Sequence, residues 1–125
     1  MSCCSSCKES KAMSDLCSDH RNFILELHQL SLMKDPRSPK LLHLIAESEN
    51  HHRIEEKTVI PLLFAKNPQV ATKLLADHVL LKTLKQELLN SETPAQARKR
   101  LKILKNAISN HITYETKVAF PLISI

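Results

Sequence analysis

Residues 51–61 read HHRIEEKTVIP, and residues 111–121 read HITYETKVAFP. Both segments fit the pattern His-x3-Glu-x5-Pro, for which this composition predicts only about 0.02 chance copies. The matching triplets are His51, Glu55 and Pro61, then His111, Glu115 and Pro121. An Asp-His pair precedes each copy, Asp19-His20 before the first and Asp77-His78 before the second. The repetition indicates that the chain consists of two similar halves, which supply the same kinds of functional side chains.

The composition favours one helical domain. The chain has 125 residues, no Gly, no Trp and 3% aromatic residues, with a net charge of +5. Tight hairpin turns use Gly for positive φ angles, so its absence argues against a sheet-rich fold. The sequence has no apolar run long enough to span a bilayer and no secretory h-region. We therefore expect a soluble cytoplasmic protein without a membrane partner.

Proline signals divide the chain into four expected helices. A flexible Cys- and Ser-rich tail covers residues 1–13, and the first helix runs from about Ser14 to Met33. The second helix begins at Ser38-Pro39 and ends near Phe64. Asn67-Pro68 and Thr93-Pro94 repeat this N-cap-then-proline signal for the third and fourth helices. Pro61 and Pro121 should each kink or end a helix.

These boundaries predict an all-α, up-down-up-down four-helix bundle over residues 14–125, with an internal two-fold repeat of helix pairs. In an antiparallel pair, two residues lie at one height when their sequence midpoint falls at the turn. The midpoints between successive members of His20, His51, His78 and His111 fall at or near the expected connections. The four histidines should therefore lie at one level of the bundle, one on each helix.

Each helix should turn one stripe of residues towards the core. The predicted stripes are Leu16, His20, Phe23, Ile24, Leu27 and Leu30; Leu44, Ser48, His51, Glu55, Thr58 and Leu62; Leu74, His78, Leu81, Lys85 and Leu88; and Leu104, Ala107, His111, Glu115, Val118 and Leu122.

The repeated residues suit a site for two metal ions. Residues four apart share a helix face, so His51 and Glu55 can serve one centre, as can His111 and Glu115. Imidazole binds first-row transition metals, and carboxylates can bridge two ions. The predicted ligands are His20, His51, Glu55, His78, His111 and Glu115. The two glutamates would bridge, and open positions would remain for a small ligand. Ligand spacing decides neither the His pairing nor the metal.

The roles of several other residues allow two interpretations. His28, His43 and His52 have no repeat partner, and we interpret them as surface residues or as supports behind the ligands. His52 and Glu56 are also four apart, and only the proline register favours His51 and Glu55 over them. Tyr114 is interpreted as a packed core residue, with a hydrogen bond towards the site as the alternative.

The cysteines lie at positions 3, 4, 7 and 17, outside the predicted core. A cytosolic protein would keep them reduced. Cys3, Cys4 and Cys7 could bind metal, hold a persulfide or form a redox pair. The plainer interpretation is an exposed tail with incidental thiols, because a structural zinc site needs a second pair.

The chain resembles the haemerythrin-like, or HHE cation-binding, domain family over residues from about 14 to 125. The resemblance is carried by the two motifs at 51–61 and 111–121 and by the Asp-His pairs. It implies a four-helix bundle around a non-haem di-iron centre, with two iron ions joined by oxo and carboxylate bridges. Oxygen carriers of this family have a second His one turn along the third helix, where this chain has Lys82. The four-His, two-Glu set is closer to the repair-of-iron-centres proteins.

The resemblance implies binding of, or reaction with, oxygen, peroxide or nitric oxide, in iron–sulfur repair or a stress response. A metal-dependent sensor or interaction module without turnover is the alternative, and it leaves a protein partner open. The basic stretch Arg98-Lys99-Arg100 lacks interleaved aromatics, so we expect no nucleic-acid partner. The sequence shows no nucleophile-base pair, phosphate loop or catalytic triad. Any turnover would be redox chemistry at the metals.

Overall fold

The structure, a computed structural model, describes residues 11–123, with side chains from residue 14 onward. Its elements are α1 (Lys11–Ser31), α2 (Pro39–Thr58), α3 (Ile60–Lys66), α4 (Pro68–Leu89), α5 (Pro94–Tyr114), a π-helical segment (Glu115–Ala119) and α6 (Phe120–Ile123). The long helix α1 packs against α2 and α5, and α4 packs against the same two neighbours. This arrangement confirms the predicted four-helix bundle, and residues 11–123 contain no strand.

The predicted helix starts are confirmed by their caps. The side chain of Ser38 accepts a hydrogen bond from the Leu41 amide, and Asn67 accepts from the amides of Gln69 and Val70. Thr93 accepts from the Gln96 amide. A proline follows each cap at the first helical turn, where a missing N–H is tolerated. The first described residue, Lys11, already lies in α1, so the helix includes residues before the predicted Ser14.

Both motif prolines interrupt their helices, as predicted. Near Pro61 the chain leaves α2 at Val59 and restarts as α3, so the second helix is not continuous to Phe64. Near Pro121 the chain passes through the π-helical segment before α6. A proline lacks the N–H for the i→i−4 bond and its ring crowds the preceding turn, which explains both interruptions.

The interruptions change which side chains face the core. After Glu55 the buried residues are Val59, Ile60 and Leu63, whereas the predicted stripe named Thr58 and Leu62, which are exposed. After Glu115 the buried residues are Ala119 and Phe120. The exposed residues Val118 and Leu122 had been predicted there, so this part of the pattern was wrong. The predicted stripes assume a helix without interruption, and each break rotates the following residues about the helix axis. In the first helix, the predicted stripe residue Ile24 is also exposed.

The apolar core has two parts, with a polar layer between them. One cluster, at the proline end of the bundle, includes Leu16, Leu63, Leu74 and Phe120. The other lies towards the opposite end and includes Phe23, Leu27, Leu30, Leu44, Leu81, Leu88, Leu101, Leu104 and Ile108. Along the chain, each histidine of the predicted site lies between members of the two clusters. The site is therefore enclosed by apolar side chains along the bundle axis.

Cys17 does not match the prediction. It is buried within the first cluster and is disulfide-bonded, so the expectation of a reduced thiol outside the core is wrong for this residue. Cys3, Cys4, Cys7 and most of the predicted 1–13 tail lie outside the described residues. Within residues 11–123, no helix has the length and apolar character needed to cross a membrane.

Candidate metal centre

The structure brings all six predicted ligand residues into one buried layer. His20 lies on α1, His51 and Glu55 on α2, His78 on α4, His111 on α5, and Glu115 begins the π-helical segment. Every one of them is buried, and the two glutamates have no exposed surface. Four long helices each contribute one histidine at the same level, as the midpoint argument predicts.

The donor atoms form two adjacent groups. One group consists of His20, His51, Glu55 and Glu115, and the other of His52, Glu55, His78 and His111. Within each group the possible ligand atoms lie within 4.8 Å of one another. Glu55 belongs to both groups, which places a carboxylate between two candidate ion positions.

The glutamates each face two histidines. Oε1 of Glu55 lies 3.4 Å from Nε2 of His51 and 3.2 Å from Nε2 of His78. Oε1 of Glu115 lies 3.0 Å from Nε2 of His20 and 3.4 Å from Nε2 of His111. Two donors about 2.1 Å from one ion are separated by roughly 3.0 Å in octahedral geometry and about 3.4 Å in tetrahedral geometry. The four distances match this spacing.

These close atoms are not satisfied by hydrogen bonds. Both carboxylate oxygens of Glu55 and of Glu115 are buried without a hydrogen-bond partner. The same is true of Nε2 of His51, His78 and His111. Burying so many polar atoms without partners is costly. The residues present therefore fit a pair of bound cations, which would satisfy these atoms together.

Carboxylates behind the site orient three of the histidines. Nδ1 of His51 lies 3.0 Å from Asp19, and Nδ1 of His111 lies 3.0 Å from Asp77. Nδ1 of His78 lies 2.8 Å from Glu56. A proton held on Nδ1 by a carboxylate leaves the Nε2 lone pair free to face a metal ion. Each Asp-His pair therefore supports the motif histidine of the following helix, which sequence analysis did not recognise.

His52 is the functional candidate that sequence analysis missed. Of the two predicted alternatives, the surface position is wrong, because the side chain is buried and only 7% exposed. Its ring stacks on His78 with centroids 4.0 Å apart and an angle of 16°. The clue was the double histidine at 51–52, but the second motif has Ile112 at the matching position. His28 and His43 are exposed, as predicted.

Burial also shifts the acid–base behaviour of the layer. It raises the pKa of Glu55 to about 7, with the neighbouring Glu115 carboxylate adding to the rise. Burial lowers the pKa of His20 to about 4. Burial likewise lowers the pKa of His78, but the facing Glu55 and Glu56 outweigh this and raise it overall. A layer that disfavours imidazolium at His20 keeps a neutral ring there, which is the form that binds metal.

Two grooves reach the layer from opposite sides of the bundle. The first, of about 610 Å³, lies between α1 and α5 and is lined by His20, Ile24, Leu25, Ile112, Thr113 and Thr116, among others. The second, of about 450 Å³, lies between α2 and α4 and is lined by Glu49, His52, Arg53, Glu56, His78 and Lys82, among others. We call them the apolar groove and the charged groove.

Two further side chains near the layer have structural contacts. Lys85 on α4 is buried and lies 3.4 Å from Glu49 of α2, and burial lowers the pKa of this amine. Tyr114 packs against the first core cluster, as predicted, and Nζ of Lys73 lies 4.6 Å from its ring centre. This contact is a cation–π interaction on the outer side of α5.

The comparisons with known proteins agree with this geometry. The family model described as the hemerythrin HHE cation binding domain matches residues 13–123. No curated protein and no solved structure matches the chain significantly. The match covers nearly the whole chain and includes both motifs and both Asp-His pairs. The chain belongs to the hemerythrin HHE cation-binding domain family.

Proposed function

We propose that this protein is a non-haem di-iron protein that binds or reacts with oxygen, peroxide or nitric oxide. One observation carries the proposal, namely two adjacent buried donor groups that share Glu55. The two groups, with Glu55 common to both, would hold two ions, and such a pair could act together on one small ligand. The donor types suit several first-row metals. The family resemblance supports iron, which would supply redox chemistry when bound.

The protein's own residues would hold, orient and shield the ions. The six predicted residues His20, His51, Glu55, His78, His111 and Glu115 supply donors, and Asp19, Asp77 and Glu56 fix three imidazoles from behind. A small cavity beside the histidines is also lined by Phe23, Leu81, Ile108 and Ile112. These apolar side chains keep bulk water from this side of the site.

The direct test is the metal content of anaerobically purified protein, together with absorption spectra before and after air, peroxide and nitric oxide. We expect two irons per chain and near-ultraviolet charge-transfer bands that change with at least one of these molecules. One tightly held zinc, or no metal at all, would rule out the redox proposal. An exposed-site variant, His43→Ala, should contain the same metal as the wild type.

The biological setting is part of this proposal. The likeness of the predicted ligand set to the repair-of-iron-centres proteins supports a role in iron–sulfur repair or nitric oxide stress. We expect purified di-iron protein to restore activity to an iron–sulfur enzyme damaged by nitric oxide. A Glu55→Ala, Glu115→Ala double variant is the metal-free control. Equal recovery with both proteins would contradict the repair role.

A sensor or interaction module is the alternative function. The exposed residues Arg98, Lys99 and Lys102 on α5 favour it, because they form a basic surface away from the metal layer. A sensor would show a partner affinity or an oligomeric state that changes with metal or oxidation, and little turnover. Size-exclusion chromatography of metal-free, reduced and oxidised protein distinguishes the two functions. Identical elution profiles with measurable turnover would favour the first.

A further inference from the structure

The two halves of the bundle differ at a position beside each motif histidine. His51 corresponds to His111, and Glu55 corresponds to Glu115, so the counterpart of His52 is Ile112. The next helical turn differs too, with Glu56 in the first half and Thr116 in the second. Ile112 and Thr116 lie in the apolar groove beside His20, whereas His52 and Glu56 lie in the charged groove beside His78. The halves share a metal layer but surround it with different chemistry.

His52 has the position of a donor. It is one of the four residues of the second donor group, with possible ligand atoms within 4.8 Å of those of Glu55, His78 and His111. Its ring centre is 5.7 Å from that of His111, and the two rings are nearly perpendicular. No hydrogen bond joins its ring nitrogens to any residue of the described part of the chain. The ring lines the charged groove, and binding of an ion would break no hydrogen bond between its nitrogens and the described residues.

We propose that His52 is a fifth histidine ligand, so that the two ions have unequal surroundings. The ion at one end would be held by His20 and His51, and the ion at the other by His52, His78 and His111, with Glu55 and Glu115 between them. This inference rests on the proposed two-ion function. It assigns to α2 two consecutive histidines that serve different ions.

The two donor groups each contain four residues, but they differ in kind, with two histidines and two glutamates at one end and three histidines and one glutamate at the other. Only the first of these groups includes a histidine that lines the apolar groove. The apolar groove reaches His20, and the side chains of Ile24, Leu25 and Ile112 line it. A small uncharged ligand partitions into such a groove more readily than a hydrated ion does. The first donor group and the apolar approach therefore lie on the same side of the bundle.

The test is a titration of metal-free protein with Co²⁺, followed by visible absorption, for the wild type and three variants. His52→Phe keeps a ring that can stack on His78 but removes both nitrogens. His52→Ala removes the ring as well, and His43→Ala changes an exposed histidine of the same helix. Loss of supporting residues behind a ligand weakens metal binding by about 10–100-fold. We therefore expect His52→Phe to weaken one of two cobalt sites by more than ~100-fold and His43→Ala to leave both unchanged.

Added imidazole separates a ligand role from a packing role. With His52 as a ligand, millimolar imidazole should restore the second cobalt site in His52→Ala, whereas His52→Phe should not respond. If His52→Phe binds two cobalt ions with wild-type affinities, His52 only packs and the inference is wrong. If the wild type itself binds fewer than two cobalt ions, the two-ion function fails, and the His52 proposal fails with it. The two failures are therefore distinguishable.

Discussion

At the scale of single residues, the candidate centre is defined by polar atoms that the protein alone does not satisfy. The buried carboxylates of Glu55 and Glu115 lack hydrogen bonds, and three imidazoles point Nε2 towards them. The opposite ring nitrogens are fixed by Asp19, Asp77 and Glu56. Metal affinity should therefore depend on residues that never touch the metal, because they set which nitrogen is available.

Asp19 provides a test of this orientation. In Asp19→Ala, His51 loses the partner of its Nδ1 atom, and we expect metal affinity to fall about 10–100-fold. Competition with a metal chelator measures the change. Asp15→Ala is the matched control, because Asp15 is exposed on the same helix. Equal affinities for the two variants would mean that the Asp19 contact does not orient the ligand.

Glu55 gives a pH dependence to the metal-free protein. Its folded-state pKa of about 7 lies above the ordinary value of 4.5, so the folded state holds this proton more tightly than the unfolded state does. The stabilisation from the proton is complete below about pH 4.5 and is lost as the pH rises through 7. Glu55→Gln should remove this loss. At pH 8 its free energy of unfolding should exceed that of the metal-free wild type by about 3 kcal/mol.

Urea unfolding of both proteins in a chelator, at pH 4.5 and pH 8, measures the difference. Glu47→Gln, at an exposed position of α2, should show no comparable change. With metal bound, the wild type should be more stable than Glu55→Gln, because the variant loses a charged ligand and metal binding is linked to folding. A metal-free Glu55→Gln protein that is less stable than the wild type at pH 8 would contradict this account.

At the scale of elements, the prolines decide how the last turns of the second and fourth helices meet the core. An unbroken helix would bury Leu62 and Val118, whereas the interrupted helices bury Leu63, Ala119 and Phe120. Phe120 stacks on His20 with ring centres 5.9 Å apart, so the break after Glu115 also supports the metal layer. The interruption therefore forms part of the site.

Leu62 and Leu63 test the register directly, since they are adjacent and of the same type. Leu63 is fully buried and Leu62 is 55% exposed. We expect Leu63→Ala to lower the free energy of unfolding by about 2–5 kcal/mol and Leu62→Ala to change it by less than ~0.5 kcal/mol. Chemical denaturation of both variants measures this. If Leu62→Ala lowered the free energy of unfolding more than Leu63→Ala, the result would favour the unbroken helix that the sequence pattern predicts.

At the scale of the whole molecule, a two-fold repeat is combined with two unlike grooves. The repeat explains the paired motifs and the single layer of histidines. The difference between the grooves explains how a nearly symmetric centre could receive a ligand from one side. Corresponding residues line the two grooves, so matched variants can test them separately.

Thr113 and Arg53 form such a pair, because both are exposed and occupy equivalent positions in the apolar and charged grooves. We expect Thr113→Trp to slow nitric oxide binding to the metal-loaded protein at least ~10-fold by filling the apolar groove. Arg53→Trp should bind at the wild-type rate. Stopped-flow absorption gives the rates, and metal analysis should show equal loading. Slowing in Arg53→Trp alone would assign ligand entry to the charged groove.

The sequence by itself determined the helical class, the starts of three helices and the six candidate residues that share one buried layer, because each depends on local spacing or on the repeat. Ser38, Asn67 and Thr93 act as N-caps through contacts within one turn, which sequence patterns capture. Tertiary structure decided what depends on rotation and on neighbouring helices. The burial of His52, the partners of Asp19 and Asp77, and the core register next to each proline are of this kind. They follow from how separate helices pack around one polar layer, which no single helical period encodes.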